Sequence, residues 1–416
     1  MEYGLIANTL KHSFSKEIHA LFADYDYTLK ELDEDSVRSF MMERNFKAIN
    51  VTIPYKQTVI PYLDSISETA KGIGAVNTVV NKNGKLFGFN TDFFGMKALL
   101  LHAGIDIKAK KVAVLGTGGT SKTANYVAKI LGAKEVLTVS RNPKIGQIGY
   151  DELYESHTDT DVIINTTPVG MFPKIDACAV DIDRFKNLSG VADAIYNPLR
   201  TELVLNAEKR GIPAAGGLYM LVAQAAEAVE KFIGKKIPKK QIDAVYNSVK
   251  CRKQNIVLYG MPASGKSTLG SQLAKELGKS FFDTDELIEK RENKTITQIF
   301  SESGEQGFRK TEAEVIAEVA VSTGAVIATG GGAVLNSRNV FELSKNGIAI
   351  FIDRPLEKLH GTPDRPLAKN AEQLAALYNE RKKLYLNAAD ICFLPTDDIN
   401  DNVKRLKVIA KSGVKK

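Results

Sequence analysis

The stretch at 255–278, NIVLYGMPASGKSTLGSQLAKELG, leaves a chain little choice of fold. An apolar run of strand character ends at Gly260, the spacing G-x(4)-G-K-S follows, and a helical pattern starts at once. That order predicts a buried strand, a tight loop and a helix whose first amides converge on an anion. Lys266 would reach β- and γ-phosphates, and the Ser267 hydroxyl would ligate Mg²⁺. Gly260, Ala263, Ser264, Gly265 and Thr268 complete the cradle. A plain glycine-rich turn is the rival reading.

The loop begins after some 250 residues that already contain a second glycine-rich loop, GTGGTSK at 116–122. With 416 residues the chain is too long for one core, so two or three domains are expected. Its longest apolar runs, such as IAIFID at 348–353, fall far short of a membrane span. MEYGLIANTLKHSFSK lacks the basic flank and apolar stretch of a secretory signal. Three scattered cysteines, Cys178, Cys251 and Cys392, fit neither a disulfide framework nor a metal site, which predicts a reducing cytoplasm. The five histidines form no H-E-x-x-H cluster, so no protein-bound transition metal is expected. The net charge of +7 rests partly on GKKIPKKQ (234–241) and the terminal KSGVKK, read as a solvated linker and tail. Without a nucleic-acid motif beside them, neither nucleic acid nor membrane is an expected partner, and anionic small substrates suit the same balance.

Before residue 101 the pattern alternates strand and helix. Ser15 can cap a helix carrying Ile18, Leu21, Phe22 and Tyr25 on one face. FKAINVTIP reads as a strand stopped by Pro54, and AVNTVVNKNGKLFGFNTD as a hairpin turning at Asn83-Gly84. Residues 110–142 give strand, glycine loop, helix and strand, and DVIINTTPVGM and GVADAIYNP supply two more strands. Such βα units predict a doubly wound parallel sheet. LYMLVAQAAEAVEKFIG (218–234) is an amphipathic helix packing back on the first segment. The main boundary falls near residue 250.

After the phosphate loop, FFDTDELIEK ends the next strand. Asp283 and Asp285 lie two apart, so an extended segment would point both the same way. One carboxylate near Mg²⁺ and one near an acceptor hydroxyl would suit phosphoryl transfer, and a simple helix cap is the alternative. GEQGFRKTEAEV with Arg309 and Glu312, ATGGGAV, DRPLAKN with Arg365 and ERKKLYLNAAD with Arg381 follow in order. Taken singly, Arg309 or Arg381 would be a surface ion pair. As an ordered set over 254–410, these motifs resemble shikimate kinase. The resemblance implies ATP and Mg²⁺ on Lys266 and Ser267, with Asp283 a metal partner. It implies shikimate on Asp285, Arg309, Gly330, Gly331, Gly332 and Arg381, with Arg365 closing from a lid. The lid LEKLHGTPDRPL is short, and His360 stands where that family carries an arginine near adenine. A kinase of another sugar or nucleoside is the rival.

The earlier loop reads G-x-G-G, which a structural turn could also produce. The tip of its next strand decides the cofactor: Ser140, Arg141 and Lys144 stand there with no carboxylate, favouring NADP over NAD. NVTIPYK places Lys56 beyond a strand end, and GFNTD places Asp92 at the start of a helix. A lysine–aspartate pair can exchange a proton with a carbonyl while a hydride moves, although Lys56 could be a loop residue and Asp92 an N-cap. HSFS, NVTIPYK, GAVNTV, GFNTD, GTGG, NTTPVGM, DAIYNPLRTEL and GGLYMLVAQAA together resemble shikimate dehydrogenase over 1–250. The resemblance implies Ser13 and Ser15 on the substrate carboxylate, and Thr52, Asn77, Asp92 and Gln224 on its hydroxyls. It gives the acid–base step to Lys56 with Asp92. It places Gly116, Gly118, Gly119, Ser140 and Arg141 on NADP, with Thr166, Tyr196, Gly217 and Met220 near the nicotinamide. Ala7, Thr9 and Lys16 replace that family's Gly, Pro and Pro, which bears on substrate affinity.

The expected architecture is therefore α/β: an N-terminal substrate domain plus a Rossmann-type NADP domain, followed by a P-loop kinase domain with a parallel sheet. Residues 1–105 with 218–250 would bind substrate, 106–217 NADP(H), and 251–416 ATP. The product of one activity is the substrate of the other, 3-dehydroshikimate giving shikimate and shikimate its 3-phosphate. A half that keeps its fold as a binding module without turnover is the remaining alternative.

Overall fold

The computed structural model describes residues 1–10, 14–359 and 371–412. The chain divides into two compact units, Met1–Val249 and Lys250–Lys416.

Two sheets build the first unit. Strands β1 (Tyr3–Ala7), β2 (Tyr27–Glu31), β3 (Ala48–Val51), β4 (Ser65–Ile66), β5 (Thr78–Lys82) and β6 (Lys85–Phe89) lie in the order β2-β1-β3-β5-β6-β4. The β5–β6 hairpin closes with Lys82 opposite Lys85. Asn83 (φ 53°) and Gly84 (φ 81°) are both left-handed, the geometry that two-residue hairpins need to match strand twist. Strands β7 (Lys111–Leu115), β8 (Glu135–Val139), β9 (Val162–Asn165), β10 (Gly190–Asp193) and β11 (Ala214–Ala215) form a parallel sheet ordered β11-β10-β9-β7-β8. Central β7 is apolar and buried from Val112 to Leu115, as a strand covered on both faces must be.

The helices Asp92–His102 and Leu218–Ile233 cross at Gly95, where a Cβ would stand 2.6 Å from the Met220 carbonyl. Any larger residue would push apart the two helices that carry Asp92 and Gln224. At the front of the unit the helix Ser15–Phe22 has Phe14 in the N-cap position, without a side-chain cap, so Ser15 is the first helical residue and Tyr25 lies beyond the end.

The basic run 234–241, expected to be a solvated linker, is exposed at most positions, but from Lys239 onward it belongs to a helix, Lys239–Lys253. Ile242, Val245 and Val249, spaced three and four apart, are buried in the same core as Ile18 and Val222. Tyr219 donates to Asp243 Oδ1 at 2.6 Å, fixing the helix further. The carbonyls of Cys251, Arg252 and Gln254 accept from Lys279 Nζ at 3.0, 2.9 and 2.8 Å, satisfying groups that a helix end leaves unpaired. Charge density hid this helix, with Lys239 and Lys240 exposed at its start and Lys250, Arg252 and Lys253 crowding its last turn. Of the terminal basic run, Lys411 and Ser412 close the helix Ile399–Ser412 and the last four residues lie outside the described ones.

The second unit carries β12 (Asn255–Tyr259), β13 (Ser280–Asp283), β14 (Ala325–Ala328), β15 (Gly347–Ile352) and β16 (Ile391–Phe393), all parallel and ordered β13-β14-β12-β15-β16. Among the described residues no helix is long and apolar enough to cross a membrane.

Because Ile242 packs in the core, Ile242→Ala should lower the unfolding free energy of the first unit by about 2–4 kcal/mol. Lys240→Ala on the exposed face should change it by less than about 0.5 kcal/mol. Urea titration followed by a probe in the first unit reads both; equal, negligible effects would mean the segment is a tether.

Candidate active sites

Strand β3 ends beside β5, and the loops leaving them run together: Val51 N donates to the Asn77 carbonyl at 2.8 Å, and Val76 N to the Lys56 carbonyl at 2.8 Å. Thr52, Lys56 and Asn77 are thereby gathered at one sheet edge. Lys56 Nζ donates to Asp92 Oδ2 at 2.6 Å, with both side chains largely buried. Asp92 is the first residue of its helix and Thr91 the N-cap, so Asp92 spends its carboxylate on Lys56 and is not the cap. Thr91 links the set: its amide donates to Asn77 Oδ1 at 2.8 Å, its hydroxyl accepts from Asn77 Nδ2 at 3.1 Å and faces Gln224 Oε1 at 3.3 Å. Sequence reasoning passed over Thr91, although it sits inside the GFNTD motif.

The first glycine loop faces this group. Gly116 follows β7 with φ 105°, and a Cβ there would lie 3.0 Å from Thr166 Oγ1. Gly116 N donates to the Val139 carbonyl at 2.8 Å, joining the loop to the strand end that presents Ser140 and Arg141. Gly118 is the N-cap of the helix Gly119–Ile130. A Cβ on Gly118 would meet nothing within 4 Å, and one on Gly119 only Lys56 Cδ, at 3.9 Å. The helix N-terminus is thus bare backbone open toward Lys56, as a pyrophosphate requires. Phe14, the residue before Ser15, packs on Tyr196 with ring centroids 5.2 Å apart. Gly217 N donates to the Ile195 carbonyl at 2.7 Å, and a Cβ on Gly217 would strike the Ala194 carbonyl at 2.2 Å. Asp193 holds this turn, accepting from Asn165 Nδ2, the Ile195 amide and the Thr201 hydroxyl. Complete burial pushes its carboxyl up to about 6, so its ionisation costs stability as pH rises from about 4 through 6. Ser13 lies outside the described residues.

In the second unit the phosphate loop bends through Gly260 (φ 156°), Ala263 (φ 62°) and Gly265 (φ 89°) before the helix Lys266–Leu277 begins. Lys266 Nζ donates to the Gly260 and Met261 carbonyls at 3.0 and 2.9 Å, lying folded over the loop. The Ser264 hydroxyl is buried without a partner. Ser267 Oγ donates to Asp283 Oδ2 at 2.5 Å, which sets beside each other the two oxygens expected to flank a metal.

The extended reading of DTDE fails, because the strand stops at Asp283 and Asp285 is already in the helix Thr284–Glu292. Asp283 Oδ1 caps that helix, accepting from the Asp285 and Glu286 amides. Both carboxylates still line one cavity of about 290 Å³, with Ser267, Arg309, Glu312, Gly330–Gly332 and Arg381. Arg309 Nη1 meets Glu312 Oε2 at 2.8 Å, and Glu312 is wholly buried. Burial raises the Glu312 carboxyl against the lowering effect of Arg309. Arg381 Nη1 donates to the Gly331 carbonyl at 3.4 Å, and the Tyr385 hydroxyl, one helical turn on, donates to the same oxygen. A Cβ on Gly332 would stand 2.2 Å from the Arg309 guanidinium nitrogens. Two buried atoms in the cavity, Glu312 Oε1 and Arg381 Nε, lack hydrogen-bond partners in the protein. Buried polar groups are rarely left so, and a ligand with hydroxyls and a carboxylate would satisfy both. Arg365 and His360 lie outside the described residues.

Residues 262–409 match the family model for shikimate kinase, and residues 5–79 that for the shikimate dehydrogenase substrate binding domain. The shikimate dehydrogenase (NADP(+)) of Clostridium perfringens (strain SM101 / Type A) is 36% identical over 268 residues, covering 60% of this chain and 98% of that protein. Among solved structures, a chorismate mutase/shikimate 5-dehydrogenase fusion protein from Clostridium acetobutylicum is 37% identical with a TM-score of 0.56, over 60% of this chain and 96% of that one. The shikimate 5-dehydrogenase of Thermus thermophilus, solved with NADP(H) and shikimate, is 26% identical with a TM-score of 0.54, over 60% and 99%.

Arg309 is the half-buried partner of a wholly buried carboxylate rather than a surface ion pair, and removing it strands Glu312. Arg309→Met should destabilise the second unit by about 2–3 kcal/mol, somewhat below a fully enclosed pair because part of Arg309 reaches solvent. Adding Glu312→Gln should recover most of the loss in denaturant titration; no recovery would contradict the coupling.

Proposed function

The chain belongs to the shikimate dehydrogenase family and carries a shikimate kinase domain, and from that premise we propose that it runs two successive steps. The first unit reduces 3-dehydroshikimate to shikimate, and the second phosphorylates the 3-hydroxyl of shikimate. The observation carrying this reading is a juxtaposition repeated in both units: the Lys56–Asp92 pair faces one glycine loop, and a cavity lined by Asp285, Arg309 and Arg381 adjoins the other.

In the first unit NADPH would supply the hydride. Gly116, Gly118 and Gly119 would hold its pyrophosphate at the bare helix N-terminus, and Arg141 its extra phosphate. Lys56 Nζ would give a proton to the substrate carbonyl oxygen as that oxygen gains charge, with Asp92 fixing the ammonium's direction. Asn77, aligned by Thr91, and Gln224 would receive ring hydroxyls, and Ser13 and Ser15 the carboxylate.

In the second unit MgATP would supply the phosphoryl group. Lys266 would leave the loop carbonyls to meet the phosphates, and Ser267 and Asp283 would serve the metal side. Asp285 would take the proton of the attacking hydroxyl while Arg309 and Arg381 hold the carboxylate. The paired guanidinium groups favour an acidic acceptor over a neutral sugar or nucleoside.

Purified protein given 3-dehydroshikimate, NADPH and MgATP should yield shikimate 3-phosphate by mass spectrometry. Lys56→Ala should lower NADPH consumption by about 10²–10⁴-fold while shikimate phosphorylation persists. Lys266→Ala should do the reverse, leaving unphosphorylated shikimate to accumulate. If one variant silenced both steps, the two-site reading would fail.

A further inference from the structure

Arg354 has no part in either site as described above, yet it stands against the phosphate loop. It stands two residues past the end of β15 (Gly347–Ile352), and β15 pairs with β12 from Asn255↔Gly347 to Tyr259↔Phe351. Arg354 Nη1 lies 3.9 Å from where a Cβ on Gly265 would be, so the guanidinium borders the last loop residue before the helix Lys266–Leu277. Its Nε is buried and has no hydrogen-bond partner. Its ion-pair partner, Asp397, is 3.9 Å from Nη2 and already closed by Lys358 Nζ at 2.7 Å. A guanidinium carries five donors in a rigid fork. This one borders an anion-binding loop with donors to spare.

The sheet order says which part of a nucleotide would meet it. The acceptor cavity lies on the β14–β13 side of β12, lined by Asp283, Asp285 and Gly330–Gly332. The transferred γ-phosphate must face that cavity. The remainder of the nucleotide therefore leaves the loop on the other side, past the carboxyl ends of β15 and β16, which is where ligands of such sheets lie. Arg354, two residues beyond β15, stands on that path and borders the loop at Gly265.

We propose that Arg354 is a nucleotide-binding residue that grips the α-phosphate, on the nucleoside side of the loop. The proposal rests on the reading that the second unit uses a nucleoside triphosphate at 260–268. A charge-assisted contact to phosphate outweighs a neutral hydrogen bond, and Arg354 makes it without touching the acceptor.

The test uses the full chain with Arg354→Gln and Arg354→Lys, titrated with MgADP and with MgGDP. Arg354→Gln should raise both dissociation constants by the same factor, about 10- to 100-fold. Arg354→Lys, which keeps the charge but loses the fork, should fall between. The KM for shikimate, the rate of NADPH consumption and the thermal midpoint should not move. Unchanged ADP and GDP affinity would overturn the proposal. So would a loss confined to ADP, which would put the contact on the base. If Arg354→Gln fails to fold, Arg354→Lys carries the comparison alone. Wild-type protein that neither binds MgADP nor phosphorylates shikimate would instead sink the underlying reading and leave its mark on every variant equally.

Discussion

A parallel strand covered on both faces can offer its backbone to a ligand at one place only, its carboxyl end. Both units depend on that constraint. β7 lies between β9 and β8, and β12 between β14 and β15, so each glycine loop springs from a strand whose neighbours diverge. The crevice formed there is where the helix amides point. Everything else in the two sites is placed by reference to these two loops: Lys56 beside Gly119, Asp283 beside Ser267, Arg354 beside Gly265.

The two sites solve one electrostatic problem differently. In the first unit Lys56 and Asp92, both largely buried, neutralise each other, and a hydrogen-bond chain runs from Asn77 through Thr91 to Gln224. In the second, Glu312 is wholly buried beneath a partly exposed Arg309, and two buried polar atoms, Glu312 Oε1 and Arg381 Nε, have no partner in the protein. A buried pair of this kind does little for stability by comparison with an apolar packing. It keeps a cationic group rigidly aimed, which suits holding a carboxylate against a closely approaching glycine backbone.

Much of this was legible from local pattern. The hairpin at Asn83-Gly84 and the loops at 116 and 260 are visible because glycine and asparagine mark positive φ, a property of single residues. The misreadings share another cause. Period-two spacing put Asp283 and Asp285 on one strand face, but the Asp283 side chain itself ends the strand by capping the next helix. Ser15 looks like a cap by composition, yet the helix starts one residue earlier than that role allows. In 239–253 only Ile242, Val245 and Val249 carry the helical signal, and nine charged or polar neighbours drown it. Thr91 and Arg354 escaped because their partners, Gln224 and Gly265, are remote in sequence.

The helix Lys239–Lys253 changes what it means to part the two activities. Proteases cut chain that can be drawn out into an extended form, and here the junction between Val249 and Lys250 lies inside a helical turn. One side of that helix is held by Ile242, Val245 and Val249, and its end by the Lys279 ammonium. Cleavage at the junction has to wait for local unfolding, so the two enzymes travel as one polypeptide for as long as the first core stays closed.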